Sequence, residues 1–295
     1  MSDFSPKQVA RAIGVSESSL KRWCDQGLIP VTCTVGGHRR LPLSGVLEFL
    51  RTSKHPLLHP EEIGLPLGAG RRKRTPASAA EALQTALIAA DDVACRQILL
   101  DLFLEGQRLS RIFDETVAPA FQQIGQRWEC GEVEIYRERR ACRICVRVLH
   151  DLRSLLPPPP AAGRLAMGGT PAGDFYDVPT MLVELVLRQN GWQAASLGSS
   201  LPAETLIAAI RDNQPKLFWL SVSHIADEAQ FLADYRRLYE AADQTMLVVG
   251  GRALTAELRK QMQYTAYCDN LQHLEALLAG LPGMKPAPAA ALGES

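Results

Sequence analysis

The stretch LAMGGTPAGDFYDVPTMLVELVLRQNG, Leu165 to Gly191, divides into three pieces. LAMGG is a short apolar run of strand type. TMLVELVLRQNG has apolar residues at three- and four-residue spacing, as an amphipathic helix does. GDFYDVP lies between them and joins the carboxyl end of the strand to the start of the helix. Ligands often meet α/β sheets at that kind of turn. This turn carries Asp174, Tyr176 and Asp177, and Pro179 stiffens it.

The same alternation runs onward from this stretch. WQAASLG, KLFWLSVSH, TMLVVGG and TAYCD are further strand-like runs, separated by PAETLIAAIRDNQ, ADEAQFLADYRRLYEAAD and TAELRKQMQ. Residues 164–281 therefore read as a Rossmann-like domain with a doubly wound parallel sheet. At the carboxyl ends of its strands the chain places GDFYDVP, then Ser221-Val222-Ser223 followed by His224, then Gly250-Gly251. His224 reads as a structural histidine.

Upstream, PPPPAAG at 157–163 reads as a stiff spacer that no helix can cross. Residues 78–156 hold four amphipathic segments with Gly, Asp or Ser at the breaks, which predicts a four-helix bundle with a kink near Pro119. Residues 55–77, rich in Pro and Gly and containing the Arg71–Arg74 basic run, read as a linker, and 282–295 as a disordered tail. The fold class is thus multidomain α and α/β: an N-terminal winged helix-turn-helix, a helical bundle and a C-terminal doubly wound domain.

Residues 1–54 form the winged head. Ser5-Pro6 caps one helix and Ser16 a second, ESSLKRWCDQG, whose Leu20, Trp23 and Cys24 point inward. Ser18, Ser19, Lys21 and Arg22 then face outward, a polar and basic surface suited to the major groove of double-stranded DNA. Beyond it, β-prone runs flank Gly36-Gly37 and form a hairpin whose tip carries His38, Arg39 and Arg40. Residues 1–76 contain twelve Lys/Arg against six Asp/Glu, so the head and its flank carry +6 and the rest of the neutral chain −6. A polyanion partner for the head alone follows, and we expect an operator in duplex DNA.

The 46% hydrophobic and 22% charged content is that of an ordinary globular chain. No apolar run reaches the roughly 18 residues of a membrane span, and the N-terminus lacks a signal-peptide core, so a cytoplasmic location away from membranes is expected. Seven scattered cysteines argue for reduced thiols; Cys142 and Cys145 lie one turn apart in a helical pattern and read as packing residues. Ser-His-Asp sets, phosphate-binding Gly-rich loops and clustered carboxylate pairs are not recognisable, so the chain reads as a non-enzyme.

FSPKQVARAIGVSESSLKRWCDQGLIPVTCTVGGHRRLP resembles the winged-helix domain of MerR-family and excisionase-like regulators, which implies action as a dimer or higher oligomer on paired half-sites. Asp174-x-Tyr176-x-x-Pro179, Ser221-x-Ser223 and Gly250-Gly251 resemble the DxHxxG, SxL and GG signature of the cobalamin-binding domain of methionine synthase and methylmalonyl mutases. In that family the His ligates cobalt, the Ser touches the nucleotide tail and the glycines let the tail lie against backbone. VAPAFQQIGQRWECGEVEIYRER is similar to the bundle that caps cobalamin in CarH-type regulators, where a Trp is followed after nine residues by Glu-His; here Trp128 is followed by Glu138-Arg139.

The departures fall on the coordinating positions. Tyr176 replaces the axial His, Arg139 the bundle His, Pro179 a Gly and Ser223 a Leu. A phenol of pKa about 10 must ionise before it can ligate, and a protonated guanidinium has no lone pair to offer. Three readings stay open: cobalamin held with its own base, a different planar or anionic ligand contacting Arg139 and Tyr176, or no ligand and a surface for homo-oligomerisation as dimer or tetramer. The resemblance implies a DNA-binding transcriptional regulator whose sensory module controls oligomerisation. The alternative is a corrinoid carrier for a methyltransferase-type enzyme, which the head and Tyr176 disfavour.

Overall fold

A computed structural model describes residues 3–70, 74–131, 134–161 and 163–281. The expected tail at 282–295 and three residues of the Arg71–Arg74 run lie outside these. The described chain forms two compact units, meeting in sequence between Pro157 and Pro158.

The first unit begins with the head. Helices α1 (Pro6–Ile13) and α2 (Glu17–Asp25) start where the sequence places their caps: Ser5 accepts from the Gln8 amide in a capping box, and Ser16 from the Ser19 amide. Gly14 makes the turn between them at φ +70°, and a Cβ there would sit 2.4 Å from a Leu58 methyl. The hairpin is β2 (Thr32–Cys33) with β3 (Arg39–Pro42), and β1 (Asp3–Phe4) adds a third antiparallel strand on the other side of β3. Two residues are too short for a periodicity signal, which is why β1 escapes a reading of the sequence. Helix α3 (Leu43–Ser53) closes the head, with the Phe49 ring tilted against Trp23 at 4.9 Å between ring centroids.

Within the 55–77 segment the described residues 55–70 are packed chain rather than a free spacer. Leu57, Ile63, Leu65 and Ala69 are buried, and a 3-10 turn at Pro60–Ile63 lies against α1. The amides of Leu58 and His59 both donate to the Ala12 carbonyl. Apolar residues spaced through a Pro-rich stretch have no helical or strand period, so composition alone suggests a tether.

The bundle comprises α4 (Pro76–Ala89), α5 (Asp92–Leu104), a third rod formed by α6 (Leu109–Ile112) and α7 (Ala118–Glu129), and α8 (Ile135–Leu155). The irregularity expected at Pro119 takes the form of a π turn over Phe113–Val117, where the Ala118 amide donates five residues back to Phe113. Pro119 has no N–H for the carbonyl four residues earlier, and the widened turn absorbs that loss. Head and bundle share contacts: Arg51 of α3 donates to the Gln107 carbonyl at 3.1 Å, and its guanidinium lies 4.1 Å from the Phe103 ring centroid. Asp101, wholly buried on α5, accepts from the amide of Gly70 and the side chain of Gln97, both at 2.8 Å, and pins the incoming segment to the bundle.

The second unit is the expected doubly wound domain. Strands β4 (Leu165–Gly169), β5 (Gln193–Ser196), β6 (Leu217–Ser221), β7 (Met246–Gly250) and β8 (Ala266–Tyr267) form one parallel sheet in the order β5-β4-β6-β7-β8. The connecting helices are α9 (Asp177–Gln189), α10 (Ala203–Asn213), α11 (Glu228–Ala242) and α12 (Ala256–Arg259), and α13 (Leu271–Ala279) follows β8 and packs against α9. The order steps one way from β4 to β5 and the other way from β5 onward. Right-handed crossovers therefore put α9 on one face and α10 and α11 on the other. The switch point lies between β4 and β6.

Candidate functional site

At the switch point the loops after β4 and β6 are knotted around one carboxylate. Asp174 is fully buried; its Oδ2 accepts from the amides of Ser223 at 2.5 Å and His224 at 3.2 Å, and its Oδ1 from that of Tyr176 at 3.1 Å. Its carbonyl accepts from Thr170 Oγ1 and from the Ser200 amide. Asp174 thus spends its charge on the protein's own backbone, and three donors compensate the cost of burying it. His224 takes part through its amide, and its side chain is exposed.

The GG pair is also consumed by backbone. Ser221 pairs in register with Gly250, and Gly251 turns the chain at φ +121° so that the Ala253 amide reaches the Val222 carbonyl at 3.1 Å. A Cβ on Gly251 would lie 2.2 Å from the Val222 oxygen, and one on Gly250 2.7 Å from that of Cys268. Ser221 is buried between these strands. The next residue, Arg252, is one that inspection of the sequence missed. Its Nε donates to the Ser223 carbonyl at 3.2 Å, and its guanidinium lies 5.1 Å from the Tyr176 ring centroid. A cation directly after the glycine pair was the available signal. Tyr176 is half-buried beneath it, and neighbouring Phe175 is exposed.

On the α9 face an indole covers the sheet beside the switch point. Trp219 of β6, 2% exposed, donates from Nε1 to Thr180 Oγ1 of α9 at 2.9 Å. Its indole lies over Gly168 so closely that a Cβ there would be 2.3 Å from it. Asp174, Tyr176, Ser223, Ser221, Gly250 and Gly251 are therefore brought together, by main chain more than by side chains that face outward.

The three bundle positions lie in the first unit. Trp128 near the end of α7 is 46% exposed. Glu138 is mostly covered, accepts from the Cys142 thiol at 3.6 Å and lies 3.7 Å from the guanidinium of the exposed Arg139. Cys142 sits one turn from buried Cys145; burial pushes the Cys142 and Cys95 thiols up to about 12 and raises Cys145 as well, so the pair is inert packing. Among the described residues no cluster of three His, Cys, Asp or Glu is placed to hold a metal, and no helix is long and apolar enough to cross a membrane. The chain does not offer an imidazole at either Tyr176 or Arg139, so its donor set does not fit cobalt ligation from those positions.

In the head, Ser18, Lys21 and Arg22 are exposed along one side of α2 and Ser19 is half-covered. Ser18 and Ser19 hydroxyls both bond the capping Ser16 hydroxyl, at 2.8 and 2.9 Å. His38 is exposed in the wing, Arg40 is half-buried, and Arg39 is held 2.7 Å from Asp25 of α2, which braces the hairpin against that helix.

A helix-turn-helix domain model matches residues 4–54, and a B12 binding domain model matches residues 79–152. The HTH-type transcriptional repressor CarA of Myxococcus xanthus is 23% identical over 188 residues, covering 59% of this chain and 63% of the relative, a little under two thirds of its length. The chain thus joins a helix-turn-helix domain to a B12 binding domain. The monomethylamine corrinoid protein of Methanosarcina barkeri, 17% identical, superposes with a TM-score of 0.59 over 70% of this chain and all of its own, and so shares its fold over that part. At that identity the likeness is one of fold alone.

Proposed function

We propose that the chain is a DNA-binding transcriptional regulator acting as a homo-oligomer, in which the module of bundle and α/β domain governs assembly and hence DNA affinity. The observation that carries this is a capped α2 with Ser18, Lys21 and Arg22 exposed, braced by a basic wing, in one chain with a B12 binding domain. Lys21 and Arg22 would neutralise phosphates, and the short hydroxyls of α2 would approach base edges. Arg39, tied to Asp25, would position the wing beside the same groove.

The ligand of the module would be cobalamin keeping its own base, or another planar or anionic molecule held by the α/β domain beside Tyr176. Neither Tyr176 nor Arg139 offers a neutral imidazole, so in this reading the chain does not ligate cobalt from those two positions. A corrinoid carrier is the weaker reading, since a carrier has no use for a winged head.

The test is retention of operator-containing duplex as a function of salt. Lys21→Ala with Arg22→Ala should weaken binding and lower the slope of log K against log salt by about 2. An unchanged slope would remove α2 from the interface. Absence of salt-sensitive binding in the unaltered chain would remove the regulator reading altogether.

A further inference from the structure

Behind the knotted loops, on the α10 and α11 face of the sheet, lies a cavity of about 280 Å³. Its inner wall is apolar: Leu206 of α10, Leu220 of β6, and Phe231 and Leu238 of α11, each less than a tenth exposed. Its open side is acidic. Asp227 is exposed and Asp234 half-buried, and both line the cavity. Asp227 uses one oxygen to cap α11 at the Gln230 amide, so that helix end is not offered to an anion. Asp234 accepts from Gln230 Nε2 at 3.0 Å and from one nitrogen of Arg237 at 3.4 Å, while the other nitrogen of that guanidinium pairs with Glu204 at 2.8 Å. The opening thus keeps a net negative charge shared by Asp227, Asp234 and Glu204 around one arginine. An apolar chamber with carboxylates at its opening complements a hydrophobic body bearing a positive charge.

Size narrows the choice. The chamber exceeds the roughly 150 Å³ cavity that takes up benzene, and sits at the lower edge of the range for ligand pockets, about 300 to 1,000 Å³. One ring or branched alkyl group with a short aminoalkyl arm fills that space. Two larger grooves, of about 550 and 540 Å³, run along α11 and are lined largely by charged and polar residues, which do not favour such a body.

The rim also touches the Asp174 knot. Gly173 and His224 line the cavity; the His224 amide bonds Asp174 Oδ2, and the Gly173 amide bonds the Ser200 hydroxyl at 3.2 Å. A guest that displaces either loop pulls on the carboxylate that also fixes Tyr176. We propose that this cavity is an effector site for a small hydrophobic amine, whose binding alters the order of the Asp174 loops. That it feeds DNA binding rests on the regulator reading; that it binds an amine does not.

The experiment uses the full chain with phenethylamine as probe and 3-phenylpropionate as its anionic counterpart, followed by calorimetry and by exchange of the Tyr176, Ser223 and His224 amides. Phenethylamine should bind saturably and change protection at those amides, and 3-phenylpropionate should not bind. Asp234→Asn should weaken the amine about tenfold. Ala203→Trp, which places an indole in the chamber, should abolish binding; if that variant fails to fold, Asp227→Asn combined with Asp234→Asn tests the same site from the surface and should likewise abolish it. Equal affinity for the anion, no saturable binding of phenethylamine, or binding indifferent to these substitutions would overturn the site. Binding that leaves all three amides unchanged would overturn the coupling. Loss of DNA retention in the unaltered chain would count against the regulator reading alone.

Discussion

Replacing Asp174 by Ala removes a buried acceptor from three amides at once: Tyr176, Ser223 and His224. Each buried N–H left without a partner costs about 1–3 kcal/mol. Some of this is returned, because the folded state no longer has to desolvate a carboxylate. We expect a net loss of about 3–4 kcal/mol, a large part of the 5–15 kcal/mol that holds a typical domain together. Asp174→Asn keeps one acceptor oxygen and should lose roughly half as much. For a unit of this size each kcal/mol lowers Tm by about 3–5 °C, so the Ala variant should unfold about 10–20 °C earlier. Calorimetry of the full chain measures the shift, and hydrogen exchange localises it: the three amides should lose protection before the sheet does. A shift under about 2 °C with those amides still protected would refute the knot as the element that orders the site.

Other consequences are more local. Trp219→Ala should cost about 3–5 kcal/mol by opening the space between Gly168 and α9, and a loss under about 1 kcal/mol in denaturant titration would show that the indole does not fill that space. Cys95 and Cys142 have folded-state values of about 12 against an ordinary 9.0, so the stability they lend is complete below about pH 9 and drains away as pH rises toward 12. The slope is about 1.4 kcal/mol per pH unit for each thiol. Cys142→Ala should flatten the alkaline decline of the bundle's transition, and identical slopes in the two proteins would contradict this. Asp101→Ala should release Gly70 and Gln97, cost about 2–4 kcal/mol and speed proteolysis between Leu65 and Arg74; an unchanged cleavage rate would show that the anchor is elsewhere.

What the sequence disclosed depended on the range of the signal. Ser5, Ser16 and the period of the bundle helices act within a few residues, and the alternation of strand with helix leads directly to a parallel sheet. Asp174 and the glycine pair were legible as positions, but what they do was not. A motif describes which residues recur and is silent on whether a carboxylate faces a ligand or its own backbone; here it binds three amides of its own chain. Trp219 read as one more apolar residue in KLFWLSVSH, because only the register of β6 against β4 sets it over Gly168. The cavity by α11 needed tertiary structure for the same reason: its walls come from segments as far apart as Pro171 and Leu238.

The contacts of Arg51 with Phe103 and Gln107, together with the packed residues from Leu57 to Ala69, make the head a rigid lever on the bundle. A lever cannot follow DNA that rotates away from it. If two such chains join through their modules, their recognition helices are presented at a fixed helical phase. An operator lengthened by about five base pairs, half a turn, should then be rejected, and one lengthened by about ten accepted again.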